Sequence, residues 1–311
     1  MTTPADDYRL LREGALALDL SSWCVIRVTG SDVREFLQGM ATQDLASATP
    51  DRAAQTLFLT EKGRPVAHAW VVLDTDGTST WAIADEGARN TLRPHFERFR
   101  IMEDVEFEGP DGVPPVIGVA GPSRSMRALA LAAENRGARA INADPLSFVL
   151  LGREAVPKAD AVAAVLPPPL RMPAFAHTDA AEAWRISVGL PRTGVDFDLD
   201  RIATELSLPG AISDAKGCYV GQEVVARTSN RGQVRRHRVG FRFQWSGTQP
   251  PFRAELLAGG ASVGYLTSAA PEPGSGHGLG MGYATVESID SGAPIVIAGF
   301  DAPIELAPWP L

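Results

Sequence analysis

Residues 24–30, Cys-Val-Ile-Arg-Val-Thr-Gly, are apolar and rich in β-branched side chains, and they stop at a glycine. That is the pattern of a strand with its turn. The period then changes. Val33, Phe36, Leu37 and Met40 fall at i, i+3, i+4 and i+7, the stripe of one helix face. Asp32 and Glu35 have the spacing of a capping box at its start. Over 55–85 apolar runs are divided by Glu61-Lys62-Gly63 and by Asp74-Thr75-Asp76-Gly77, both turn-forming groups, which predicts a β-meander. Leu92, Phe96 and Phe99 mark a second helical face, and the segment 104–109 alternates again.

Further along, 114–123 reads as strand and turn, and 123–138 as a helix closed by Gly137. "LSFVLLG" (146–152) is a strand, and 154–167 is a helix with Pro157 in its first turn. Residues 164–175 are proline-rich and read as a linker or crossing segment, and 181–197 as helix, turn and glycine punctuation. From about residue 239 short strands separated by glycine turns take over, with almost no helical signal. They predict a small antiparallel barrel or sandwich beyond a boundary near residue 236. Strand pairs mixed with strand–helix units make the fold class α+β, not a Rossmann pattern.

Composition narrows the function. A chain of 311 residues suggests two or three domains. The net charge of −8 argues against a general nucleic-acid or membrane binder. Two cysteines, Cys24 and Cys218, give no disulfide framework and suit a reducing compartment. The acidic N-terminal stretch lacks an apolar signal region and no run approaches ~18 apolar residues, so the expected location is the cytoplasm. There is no P-loop and no G-x-S-x-G. No pair of the five histidines has i, i+4 spacing, and no metal site is expected.

The candidate chemistry concentrates in "AKGCYVGQEVVAR" (215–227). A cysteine acts as a nucleophile through its thiolate, which nearby cations favour. Lys216 is two residues from Cys218, and Arg227 could approach in space. Gly217 and Gly221 would allow a tight exposed turn. A buried structural cysteine beside a turn fits the same residues. The surrounding 201–240 carries seven basic and three acidic residues, a local +4, which suits an anionic small ligand, an acidic partner or a solvated face. Gln222 and Glu223 could read a heterocycle such as a pterin, or simply open a helix. Arg185, isolated among apolar neighbours, could anchor a carboxylate or snorkel to the surface. Trp70, Trp81 and Trp184 are expected in the core and His68 in a strand.

The run Lys216-Gly217-Cys218-Tyr219-Val220-Gly221-Gln222-Glu223, with "RRHRVG" (235–240), resembles the signature of the YgfZ-type folate-binding proteins. These are a branch of the glycine-cleavage T-protein (aminomethyltransferase) superfamily. "VTGSDVREFLQGMATQDL", "LTEKGRPVAHAWVV" and "WRISVGLPRTGVD" are similar to other stretches of that superfamily. The resemblance implies a three-domain cloverleaf around a folate channel. Residues 1–236 would form two interleaved α+β subdomains and 237–311 the C-terminal antiparallel β-barrel. It implies tetrahydrofolate or a derivative as ligand, for which Arg185, Tyr219, Gln222, Glu223 and Arg227 are the candidate contacts. Cys218, assisted by Lys216, would be the reactive thiol, and iron–sulfur enzymes or their assembly proteins the partners. One departure matters. Where the aminomethyltransferase has an acidic pair, this chain has Ala67-His68. That argues against glycine cleavage and leaves a folate-dependent aminomethyltransferase or demethylase, with a carboxylate from elsewhere, as the alternative. A third reading is a module that docks a partner through 231–238.

Overall fold

A computed structural model of the chain describes residues 3–74, 78–113, 116–125, 128, 138–150, 176–230, 234–300 and 303–311. The helices expected over 123–138 and 154–167 and the proline-rich segment 164–175 lie wholly or largely outside these residues.

The chain opens with α1 (Pro4–Glu13) and β1 (Leu16–Asp19). It continues through β2 (Cys24–Thr29), α2 (Val33–Met40), β3 (Ala54–Leu59), β4 (Pro65–Leu73), β5 (Ser79–Ala84), α3 (Leu92–Phe99) and β6 (Glu106–Glu108). Then come β7 (Val116–Ala120), β8 (Arg139–Ile141), β9 (Leu146–Leu150), α4 (Thr178–Ser187) and α5 (Gln222–Asn230). The rest is β10 (Arg236–Gln244), β11 (Glu255–Ala258), β12 (Ala261–Pro271), β13 (His277–Thr285), α6 (Val286–Ser291), β14 (Ile295–Ile297) and β15 (Pro303–Ala307).

Three antiparallel sheets result. One has the order β3-β4-β5-β2-β6, the second β1-β7-β9-β8, and β10-β13-β12-β11-β14-β15 close into a barrel. The fold class is α+β with a C-terminal antiparallel barrel, as the chain's pattern and the resemblance predicted. The short helix α6 inside the barrel segment is an addition to that expectation. Its Thr285 cap accepts from the Ser288 N–H, and Gly292 ends it in the left-handed region.

β4 is buried on both faces, so its pleat serves two cores. Ala67, Ala69, Val71 and Leu73 face α2 and α3, joining the α2 stripe Val33, Phe36, Leu37 and Met40. Each of the buried Val, Leu, Phe and Met side chains among them contributes about 1.5–3 kcal/mol. Trp70 and Val72 face the other way, into a core shared with β7, β9, α4 and the barrel residues Leu279 and Met281. The capping box expected at α2 does not form. Asp32 instead accepts from the Asp104 N–H at 2.8 Å, tying the loop before β6 to the helix start.

Candidate channel between the sheets and the barrel

Arg185 sits near the end of α4, and its surroundings explain "WRISVGLPRTGVD". Nε donates to Glu182, one terminal nitrogen to the Leu190 carbonyl (2.6 Å) and Asp196 (2.7 Å), and the other to Glu182 and the Ser268 hydroxyl (2.7 Å). These partners use all five guanidinium protons. Asp196, fully buried, also accepts from Thr267, Ser268 and the Arg192 N–H. The Arg185 charge and these hydrogen bonds hold its carboxyl below the usual range despite burial. Arg185 therefore rivets α4 to β12 and keeps no donor for a ligand. The carboxylate-anchor reading is replaced by a structural one.

The cysteine motif has a different geometry from the expected thiol cradle. The Lys216 ammonium donates to the carbonyls of Gln38 (2.6 Å), Ala41 (2.6 Å) and Gln43 (3.1 Å), closing the C-terminus of α2. Partial burial pushes this lysine down to about 8. Tyr219 is buried with Leu57, Leu59, Leu206, Ala211 and Val225. Gly221, at φ +83°, lets the β3–β4 turn approach. A Cβ there would stand 2.6 Å from the Thr60 carbonyl oxygen. Gln222 opens α5, the helix-start reading of that residue. Glu223 and Arg227 pair with each other on its outer face at 2.6 Å, 84% and 55% exposed. Cys218 is exposed and Cys24 is buried.

Two cavities lie at the junction of the sheets. The larger, about 470 Å³, is walled by Leu11 and Arg12 of α1, Gln55 of β3, Trp184, residues 187–190, residues 207–209, Arg238 of β10 and residues 309–311. The smaller, about 260 Å³, is lined by Trp23, His68, Trp70, Asp85, Glu182 and Trp184 among others. No residue of 215–227 lines either one. Trp184 and Leu190 line both, and the Gln55 amide meets His68 Nε2 at 2.8 Å between them. The pleat also separates the resemblance's Ala67-His68. Ala67 faces the helices, and only His68 reaches a cavity.

Arg238 is the feature that the sequence reading passed over. It is 2% exposed, and no carboxylate pairs with it among the described residues. Nε donates to the Leu206 carbonyl and one terminal nitrogen to the Gly189 carbonyl (2.8 Å) and the Met281 sulfur. Trp309 stacks on the guanidinium, 4.4 Å from its carbon to the ring centroid. The second terminal nitrogen has no partner among the described residues, while Arg238 lines the larger cavity. Burial pushes this arginine down to about 10. Trp309 fits because positions 189 and 240 are glycine. A Cβ at either would meet its ring at 2.5 Å and 2.7 Å respectively. These are the glycines of "WRISVG" and "RRHRVG", so two stretches of the resemblance meet on one indole.

The architecture is similar to the glycine cleavage system aminomethyltransferase T from Bartonella henselae. The TM-score is 0.78 at 18% identity, over 99% of this chain and 89% of that one. The chain thus has the fold of that aminomethyltransferase. Proteins called "tRNA-modifying protein YgfZ" from Shigella dysenteriae serotype 1 and from Escherichia coli are each 26% identical over 230 residues, 70% of this chain and 69% of theirs. No family model matches the sequence. In sequence the chain is thus similar to the YgfZ-type proteins. Among the described residues, no helix is long and apolar enough to cross a membrane.

Proposed function

We propose that the chain is a tetrahydrofolate-binding accessory protein for the synthesis or repair of iron–sulfur enzymes, with the larger cavity as its folate site. The observation that carries the folate half is Arg238, a buried cation without a carboxylate partner among the described residues, on the wall of a cavity of about 470 Å³. That volume lies in the range of about 300–1,000 Å³ for small-molecule sites. Arg238 would receive an anionic or carbonyl group of the ligand. The indoles of Trp184 and Trp309 would cover its rings. Cys218, exposed on the α5 side and outside the cavity, would face a protein partner and not the folate. The relatives' name refers to tRNA modification. With a net charge of −8, this chain would act on a protein in that process and not grip the RNA itself.

Titration calorimetry with tetrahydrofolate tests the ligand. Saturable heat is expected, weakened at least tenfold in Arg238→Gln; no heat at high micromolar ligand refutes the folate site. Complementation of a strain lacking the family member tests the thiol, with loss of rescue expected for Cys218→Ser.

A second reading, folate-dependent aminomethyl transfer or demethylation, is favoured by one observation. It needs a carboxylate near the reacting carbon, and Asp85, just past the end of β5, stands across the Ala84–Ala69 pair from His68 in the smaller cavity, which shares Trp184 and Leu190 with the larger one. Formation of methylene-tetrahydrofolate from an amine donor would support it, and failure of a broad donor screen would remove it.

A further inference from the structure

The two cavities carry opposite charge. The larger is lined by Arg12, Arg124 and Arg238 against Asp144 alone. The smaller is lined by Asp19, Asp85, Glu86 and Glu182 against Arg185 and Arg192. Both of those arginines are bound by Glu182, and Arg185 by Asp196 as well. Asp19, Asp85 and Glu86 form no ion pair among the described residues, and of these Asp85 is the buried one, 5% exposed. It accepts from the Gly87 N–H and from the Thr193 N–H and hydroxyl. These give each carboxylate oxygen two hydrogen bonds, all from neutral donors, and no cation is paired with it among the described residues. Burial raises its pKa from the ordinary value, the direction expected of a carboxylate short of positive charge.

A second group in the chamber is also short of a partner. His68 is 1% exposed. Its Nε2 faces the Gln55 amide nitrogen at 2.8 Å. That nitrogen can only donate, so Nε2 accepts and the proton sits on Nδ1. Nδ1 has no acceptor among the described residues, and His68 lines the chamber. Burial keeps the ring neutral, with a pKa of about 3. The apolar walls include the indoles of Trp23, Trp70 and Trp184, the first two stacked at 5.8 Å. Indole faces attract organic cations.

We propose that this smaller chamber binds a small ammonium compound that also carries a hydrogen-bond acceptor, as a small amino acid or amino alcohol does. The ammonium sits against Asp85 and the indoles, and the acceptor takes the His68 Nδ1 proton. The chamber's volume, about 260 Å³, falls below the usual range for drug-sized ligands and restricts it to few heavy atoms. The proposal does not rest on folate occupying the larger cavity.

Tryptophan fluorescence of the full chain tests it, because three of the six tryptophans line the chamber. Glycine and ethanolamine are titrated as ammonium probes at neutral pH, with acetate and ethylene glycol as probes lacking the cation. The expected result is a saturable change with the first pair and none with the second. Asp85→Asn should weaken it at least tenfold. Ala181→Leu fills the chamber without touching a polar group and should abolish it, so the outcome stands even if Asp85→Asn folds poorly. No saturation in the wild type at tens of millimolar, equal response to acetate, or an unchanged titration in Ala181→Leu overturns the proposal. Tetrahydrofolate calorimetry on the same preparation reads the larger cavity separately, so either site can fail alone.

Discussion

His68 is buried neutral, and that makes an acid-stability experiment quantitative. Its folded pKa is pushed down to about 3 by burial first and by the Arg238 charge second, from an ordinary 6.5. The unfolded chain therefore binds a proton below pH 6.5 that the folded chain refuses, and folding weakens as pH falls. The stability is fully present above pH 6.5 and is lost progressively down to about pH 3. At about 1.4 kcal/mol per pH unit, His68 alone costs about 2 kcal/mol at pH 5 relative to pH 8. His95, pushed down to about 4 by burial, adds a similar amount in the same window. His68→Gln keeps an acceptor for Gln55 and removes the titration. Urea unfolding at pH 8, 6.5 and 5 should give the wild type the steeper loss, by about 2 kcal/mol between the extremes. The window stays above the ordinary carboxylate range, and His95 is common to both proteins. Equal pH dependence in the two would mean that His68 is protonated in the folded state, and the assignment of its Nδ1 proton would fall with it.

Two further results are expected. Gly240→Ala places a Cβ 2.7 Å from the Trp309 ring and should destabilise by about 1–3 kcal/mol, with a red shift of tryptophan emission as the indole leaves its bed; an unshifted spectrum and unchanged unfolding would refute the packing. Cys24 is buried and its thiol is pushed up to about 12 by desolvation, while Cys218 is exposed. Intact-mass measurement after iodoacetamide at pH 7.5 should therefore find one adduct in the native protein and two in denaturant; two native adducts would contradict the placement of Cys24.

Much of the fold was legible because it rests on short-range periodicity. The stripe Val33–Met40, the meander of β3, β4 and β5 and the glycine-punctuated barrel strands all appear where the pattern put them. The start of α1 was equally readable and was passed over. Thr3-Pro4-Ala5-Asp6 carries a cap, a first-turn proline and a reciprocal acid, and the capping box forms. The cavity residues were harder. Arg238 looked like one more charge in a basic run, and only its place opposite Tyr283 in the closed barrel buries it. Asp85 read as the end of a strand, and its burial without an ion pair among the described residues goes with hydrogen bonds from Thr193, more than 100 residues away. Arg185 drew attention correctly as a cation among apolar neighbours, but its partners Asp196 and Ser268 lie beyond local spacing. Periodicity reports which face is buried. It does not report which buried charge lacks a partner.

The Lys216 clamp also bears on how the protein folds. It joins carbonyls at 38–43 to a side chain more than 170 positions later, and Thr42 holds the same loop through the Ala211 carbonyl (2.6 Å) and the Ser213 N–H (3.0 Å). Such high-order contacts close only after the chain between them has collapsed, since loop entropy must be overcome first. The loop that carries Cys218 is thus among the last parts to gain native order. A partner that recognises this loop reads a nearly finished chain, and its affinity is itself a report on whether folding has run to completion.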